Sequence, residues 1–322
     1  MNKEYFIGID IGGTKILTAL ADNEGKIITK AHNPTEADQG RDVIIDNIKS
    51  TIDRVIDNSK VKKEEIVKIG LGTPGPLDLK NGRIIENSNL SWSDVPIVKI
   101  LEKTTGIPVI LENDANAAGL GEKFFGAGRG ANNIVYITIS TGIGGGVIID
   151  NKIFHGKGNA AEIGHMTLIP DSKFQCGCGN YGCFEAVASG TAIAKRGKEI
   201  IKENKTGLIY EYSEGNIDLV DAPLIAAAAR EGDQDAIEIF KLTGRLLGVG
   251  IANVLNLFDP EIIVLGGGVM HAEDLFMDEL KNSLRKRALK SNLKNLQIKN
   301  AKLGKNTGVK GAIAVAMGDY LY

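Results

Sequence analysis

One arrangement occurs twice in this chain and narrows its fold more than any other feature: an apolar strand runs into a glycine turn and leaves it as another strand. Tyr5 to Ile11 enters Asp10-Ile11-Gly12-Gly13-Thr14-Lys15, the alternation from Ile16 to Ala21 predicts a return strand, Asp22-Asn23-Glu24-Gly25 a turn, and Ile27-Ile28 a third strand. Ile134 to Ile139 repeats this through Ser140-Thr141-Gly142-Ile143-Gly144-Gly145-Gly146, with Val147 to Ile149 leaving, a turn at Asp150-Asn151-Lys152, and Ile153-Phe154 beyond. A dinucleotide site or a P-loop needs strand, glycine loop and then helix. These turns join strand to strand, so they form a different phosphate clamp.

A third glycine turn has another lead-in. An amphipathic stretch from Asp235 to Leu257 predicts a long helix ending at Asp259-Pro260, Glu261 to Leu265 a short strand, and Gly266-Gly267-Gly268 a turn opening toward a further helix. Any one such turn is equally well a plain tight turn; three at the ends of apolar strands point to a nucleotide. Gly70-Leu71-Gly72-Thr73-Pro74-Gly75 formally matches the dinucleotide fingerprint, but Pro74 and Pro76 forbid a helix there and the match is discarded. At 322 residues the chain has room for about two domains, and 43% hydrophobic with 24% charged residues suits a globular protein. A net charge of −2 offers no field for nucleic acid or anionic membrane; the basic run from Lys281 to Lys299 reads as a solvated helix face. No apolar run approaches membrane-spanning length, and Met1-Asn2-Lys3-Glu4 is no signal peptide, so a cytoplasmic location is expected.

All three cysteines fall in one stretch, Cys176-Gly177-Cys178 and Cys183, with His165 upstream. Three thiolates and an imidazole fill the tetrahedral shell of a closed zinc site. An odd cysteine count, the missing secretory signal and the one-residue gap favour zinc over a disulfide. Glu162 and Glu185 bracket the cluster without being needed as ligands. Elsewhere, Ile107 to Leu111 predicts a strand leading into Glu112-Asn113-Asp114-Ala115-Asn116, and Ala117 to Phe125 a helix. Asp114 at this junction suits either a helix N-cap or a general base with Asn113 as orienting amide, and the segment alone leaves both open.

Asp10 to Lys15, Glu112 to Ala118, Glu162-Ile163-Gly164-His165, Cys176-x-Cys178-Gly179-x-x-Gly182-Cys183-x-Glu185 and Leu265 to Val269 together resemble the ROK family (repressors, open reading frames and sugar kinases), most narrowly its bacterial ATP-dependent glucokinases. The resemblance covers essentially the whole chain, departing at Lys173, where the family often has glycine. It implies a mixed α/β, two-domain actin-like ATPase (sugar kinase) fold around a cleft, with a structural zinc loop at 162–185. Residues 1–114 plus 311–322 would form the small domain and 115–310 the large one. It further implies phosphoryl transfer from ATP to the 6-hydroxyl of glucose, with Asp114 as base. Gly12, Gly13, Thr14, Thr141 and Gly142 would hold phosphates, Asp10 would position Mg²⁺, and Gly266, Gly267 and Gly268 would line the adenosine pocket. Lys15 is either an added cation there or a solvent-facing lysine. Gly75, Asn89, Asn113, Asp114, Glu162, His165 and Glu185 would recognise the sugar, with His165, Cys176, Cys178 and Cys183 holding zinc. A homo-oligomer, dimer or tetramer, is implied as well. Rivals are family kinases acting on N-acetylmannosamine, N-acetylglucosamine or fructose, a sugar-responsive repressor, for which a first strand near residue 5 leaves no room for a DNA-binding region, and an actin-like assembly ATPase.

Overall fold

The computed structural model describes residues 4–87 and 89–318. By its internal contacts the chain divides into two compact units, formed by the described parts of Met1–Tyr136, Gly146–Ala161 and Ala301–Tyr322, and by Ile137–Gly145 with Glu162–Asn300. The first opens with β1 (Tyr5–Ile11), β2 (Lys15–Asp22) and β3 (Ile27–Pro34), the antiparallel ribbon expected from the first glycine turn. Then follow α1 (Arg41–Ser59) and β4 (Ile66–Thr73); a small antiparallel ribbon of β5 (Leu77–Asp78), β6 (Arg83–Asn87) and β7 (Trp92–Val95); and α2 (Ile97–Thr105), β8 (Val109–Asn113) and α3 (Asp114–Phe125). Its main sheet is ordered β3-β2-β1-β4-β8, with β4 parallel to both β1 and β8. The discarded fingerprint lies partly inside β4, and Gly75-Pro76, joined by a cis peptide, is a turn into β5.

Alternation along β1 assigns its two faces. Ile7, Ile9 and Ile11 pack with Ile44, Ile48, Ile52 and Val55, which recur on one stripe of α1. Phe6, Gly8 and Asp10 face the other way, toward the C-terminal helix. A Cβ on Gly8 would come 2.5 Å from the Val309 carbonyl oxygen, and one on Gly70 of β4 1.9 Å from that of Ala312. Only glycine at these positions lets the helix lie this close to the sheet.

The second sheet is ordered β11-β10-β9-β12-β13. Its strands are β9 (Ile134–Ile139), β10 (Ile143–Ile149), β11 (Lys152–Ile153), β12 (Ile262–Gly266) and β13 (Gln297–Asn300). Its helices in chain order are α4 (Phe184–Ala188), α5 (Gly190–Glu203), α6 (Leu208–Tyr212), α7 (Ala222–Arg230) and α8 (Gln234–Phe258), then α9 (Met277–Arg287) and α10 (Lys290–Leu293). α8 is the long helix expected from its apolar stripe, and Gly244 and Gly248 press against the backbone of Phe276 and Leu280, where α9 begins. The expected single basic helix face at 281–299 is not one element: it spreads over α9, α10 and β13, because the break at Ala288-Leu289 ends the first helix. Its Lys281, Arg285, Lys286 and Arg287 are solvent-exposed.

α11 (Thr307–Met317) closes the first unit. By contacts α3 and residues 301–310 group there too, beyond the expected boundary at 114/115, since Gly121 of α3 meets Gly311 of α11 backbone to backbone. Of the expected return at 311–322, residues 319–322 lie outside the described residues.

Candidate active site and metal centre

In the first unit the expected site residues gather at the carboxyl ends of parallel strands, where open α/β sheets bind ligands. Asp10 of β1 pairs with Gly72 of β4, and Gly72 and Thr73 pair with Glu112 and Asn113 of β8. Asp10 faces the start of α11, where a Cβ on Gly308 would lie 2.2 Å from Oδ2. Burial raises the Asp10 carboxyl from its usual 3.8 to about 6; the charge of Asp114 adds to the rise and Lys15 opposes it. Lys15 is exposed yet within electrostatic reach of that carboxyl, so its two readings are compatible.

Turn 12–14 closes by a hydrogen bond from the Gly12 amide to the Lys15 carbonyl, 2.9 Å. Thr35, buried and unremarked in the sequence, braces it: its hydroxyl donates to the Gly12 carbonyl at 2.7 Å and its amide to that of Thr14 at 3.0 Å. Gly13 abuts Asn89, whose amide donates to Asn87 Oδ1 at 3.1 Å. The buried Asn87 in turn donates to the Pro74 carbonyl at 3.2 Å, so one side chain orders both Asn89 and the Gly75 turn.

The junction of β8 and α3 bears on the cap reading of Asp114. Asn113 is the N-cap: its Oδ1 accepts from the amides of Ala115, 2.9 Å, and Asn116, 3.2 Å. Asp114 is the first residue of the helix, and its Oδ1 accepts from the Ala115 amide at 2.9 Å. The N-cap reading of Asp114 is thereby replaced, because Asn113 reaches two helical amides and a residue already helical cannot cap its own helix. Glu112, 1% exposed, lies beneath: Oε1 accepts from the Asn113 amide and Asn116 Nδ2, both at 2.9 Å, and Oε2 meets His155 Nε2 at 2.8 Å. That hydrogen bond raises the His155 imidazole above its ordinary value, against the opposing effect of burial. No local pattern marks this pair, whose members are 43 residues apart.

In the second unit, the Ser140 amide donates to the Gly142 carbonyl at 2.8 Å, making the second turn as tight as the first. Gly190 and Thr191, opening α5, donate to the carbonyls of Ser140 and Thr141. Gly267 has φ 92° and presses on the Ile139 backbone, which brings the third glycine turn beside the second. Beside them is a cavity of about 600 Å³ lined by Ser140, Thr141, Gly190, Thr191, Gly268 and Val269 and by Asp221, Ala226, Arg230 and His271. Of the expected glycines only Gly268 lines it; Gly266 ends buried β12 and Gly267 shapes the turn. Arg230 is fixed by Asp274, at 3.0 and 2.7 Å, and by the His271 carbonyl at 2.9 Å. Thr191, Asp221 and Arg230 escaped the sequence reading because nothing local marks them.

The ligand atoms of His165, Cys176, Cys178 and Cys183 all lie within 4.8 Å of one another. Cys178 Sγ is 3.7 Å from Cys183 Sγ, and Cys176 Sγ is 3.5 Å from His165 Nδ1. A tetrahedral zinc ion sets sulfurs about 3.8 Å apart and sulfur from nitrogen about 3.6 Å, and these two pairs stand at that spacing. None of the cysteines is in a disulfide. Burial pushes the Cys176 thiol up to about 12 and raises Cys183, whereas the Asn180 amide lowers Cys178. Two of the thiols thus need a bound cation to ionise at neutral pH.

With Nδ1 among the thiols, His165 turns Nε2 outward, 3.9 Å from exposed Glu162 Oε2. Glu185 is more engaged than its position beside the cluster suggests. Its Oε2 accepts from the Ile143 amide at 3.0 Å, Oε1 lies 3.6 Å from Cys176 Sγ, and a Cβ on Gly142 would meet Oε2 at 2.1 Å. It therefore joins the metal loop to the second glycine turn.

The sequence profile of the ROK family matches residues 6–318. A glucokinase of Halalkalibacterium halodurans is 37% identical over 97% of this chain and 94% of its own. Among solved structures, a ROK hexokinase from Thermus thermophilus superposes with a TM-score of 0.83 at 34% identity, covering 97% of both chains. A ROK family glucokinase from Streptomyces griseus, solved with glucose and AMPPNP, gives 0.80 at 35% identity over 97% of this chain and 99% of that one.

Proposed function

The chain belongs to the ROK family, and from that membership we propose that it is a glucokinase, moving the γ-phosphoryl group of ATP to the 6-hydroxyl of glucose to give glucose 6-phosphate and ADP. The observation that carries this reading is the β8–α3 junction: Asn113 supplies the cap, so the Asp114 carboxylate is not needed to close the helix and serves as base. Asp114 takes the 6-hydroxyl proton as the oxygen attacks phosphorus. The transition state is loose, so the remaining work is alignment and charge neutralisation.

On the first unit the phosphate-holding groups are the amides and hydroxyl of Gly12, Gly13 and Thr14, with Lys15 adding positive charge; on the second unit they are Thr141 and Gly142. The nucleoside occupies the cavity beside Gly268, Thr191 and Arg230. A buried carboxyl raised to about 6 beside a second carboxylate suits a divalent cation: Asp10 would hold Mg²⁺, which supplies neutralisation of phosphate charge when bound. The groups suited to sugar hydroxyls are Asn89 and Asn113 on the first unit, where Gly75 would admit a sugar close to the backbone, and Glu162, His165 and Glu185 on the second; a hydroxyl that loses its partner there is left unpaired. His165, Cys176, Cys178 and Cys183 would hold zinc, and its bond to His165 would fix the tautomer and direction of that ring. Among the described residues no helix is long and apolar enough to cross a membrane. The reading includes a cytoplasmic location, in keeping with three cysteines outside any disulfide, and a homo-oligomer, dimer or tetramer.

ADP release by the purified protein, measured with separate sugars, tests the assignment. Glucose should give a kcat/KM at least about tenfold above N-acetylmannosamine, N-acetylglucosamine and fructose. A preference for one of these reassigns the substrate, and ATP consumption indifferent to sugar removes the kinase reading.

A further inference from the structure

His155 lies on the loop after β11, outside every segment that carries the family resemblance, yet its side chain reaches the foundation of the proposed base. The Phe154 amide pins the loop to Val147 of β10 at 2.8 Å, and the His155 carbonyl accepts from Gly158, 2.7 Å, and Ala160, 3.2 Å, so the loop is folded around this residue. Nε2 meets Glu112 Oε2 at 2.8 Å, while Glu112 Oε1 holds the Asn113 amide and Asn116 Nδ2. These two are the cap and the third residue of the helix on which Asp114 is first. A carboxylate only 1% exposed depends on such partners, and losing one leaves an oxygen buried without a hydrogen bond.

We propose that His155 is a positioning residue for phosphoryl transfer, acting through Glu112 to hold the β8–α3 junction in the one geometry that aims Asp114 at its proton. This rests on Asp114 being the base. Donation to Oε2 anchors the Glu112 carboxylate; Oε1 then holds the Asn113 amide and the Asn116 side chain, and with them the angle at which the strand enters the helix. If the anchor is lost, Glu112 can turn toward the cavity of about 470 Å³ that it lines with His155. The other charged groups on that cavity are Asp78, Lys80 and Lys157, so both signs of charge compete for the freed carboxylate. The imidazolium is the stronger anchor, since it adds charge to the hydrogen bond.

The test compares wild type with His155→Ala, His155→Gln and Asp114→Asn, all with ATP and glucose. His155→Ala should lose about tenfold or more in kcat with the KM for ATP nearly unchanged, as a misaimed base does. His155→Gln retains an N–H donor and should recover most of that loss. Wild-type kcat should decline in alkaline solution as the imidazolium is lost, and this decline should be absent from His155→Gln, whose donor does not titrate. A general loss of folded protein would move neither the alkaline limb nor the recovery by Gln. A His155→Ala enzyme within about twofold of wild type, beside an inactive Asp114→Asn, overturns the role of His155 alone. An active Asp114→Asn overturns the base itself. If His155→Ala does not fold, the limb in His155→Gln decides: its persistence overturns the proposal.

Discussion

At the scale of single residues, Asp10 at the end of β1 and Asp114 at the start of α3 make different predictions because their surroundings differ. Asp114→Asn keeps the shape and the hydrogen bond to the Ala115 amide but cannot take a proton. Turnover should fall by about 10² to 10⁴-fold with glucose binding largely kept. Calorimetric titration with glucose beside a rate measurement separates the two, and near-normal turnover would leave Asp114 a purely structural helix residue. Asp10 makes a prediction of opposite kind. Its folded-state value of about 6 lies above the 3.8 of an unfolded chain, so the folded state keeps a proton that the unfolded state releases. Stability therefore drops as pH rises from about 4 to about 6, and the full penalty, about 3 kcal/mol at most, persists above. Asp10→Asn should melt higher than wild type at pH 8 and match it near pH 4, and above pH 6 added Mg²⁺ should stabilise the wild type but not the variant. A pH-independent difference would mean that the cause is packing.

At the scale of elements, the strands and helices with strong apolar periods were legible: β1, β2, β9 and α8 stand within a residue of where alternation and helical spacing put them, while β10 begins at Ile143, four residues before the expected Val147, because the glycines after Ile143 are extended rather than turned. The metal cluster was legible as well, since cysteine and histidine at these spacings have few other uses. Long-range polar pairing was not. Glu112 hides the end of β8 because a carboxylate reads as a loop until its buried partners are known. Glu122 is fully buried on α3 because the amides of Lys302 and Leu303, 180 residues on, donate to it. Asp114 also read as a possible cap with Asn113 as its orienting amide, and only backbone position gives the cap to Asn113. Glu185 shows what such pairing does to the metal loop. Bound to the Ile143 amide and beside Cys176, it carries any loosening of the loop into the second glycine turn. Cys178→Ser should therefore bind less than one zinc per chain, show a several-fold raised KM for glucose, and raise the KM for ATP by less. Metal analysis and the two titrations check this. Unchanged glucose kinetics in a zinc-free variant would make the metal a remote staple.

At the scale of the whole molecule, the chain is one polypeptide with two cores, and each core has its own test. The first is set by glycines under α11: a methyl group at Gly70 would sit 1.9 Å from the Ala312 carbonyl oxygen, far inside contact distance, and backbone cannot yield as a flexible side chain can. Gly70→Ala should cost the first unit about 1–3 kcal/mol or more through overpacking. The second unit holds the proposed nucleotide cavity, so a non-hydrolysable ATP analogue should stabilise it by mass action, about 2.7 kcal/mol at a hundred times its Kd. A chain of this size with two compact units need not unfold in one step. In Gly70→Ala, calorimetry should resolve two transitions, the lower shifted by the substitution and the upper raised by the nucleotide. A single transition moved by both would show that the two cores unfold as one cooperative body, and that the glycines under α11 guard the stability of the entire chain.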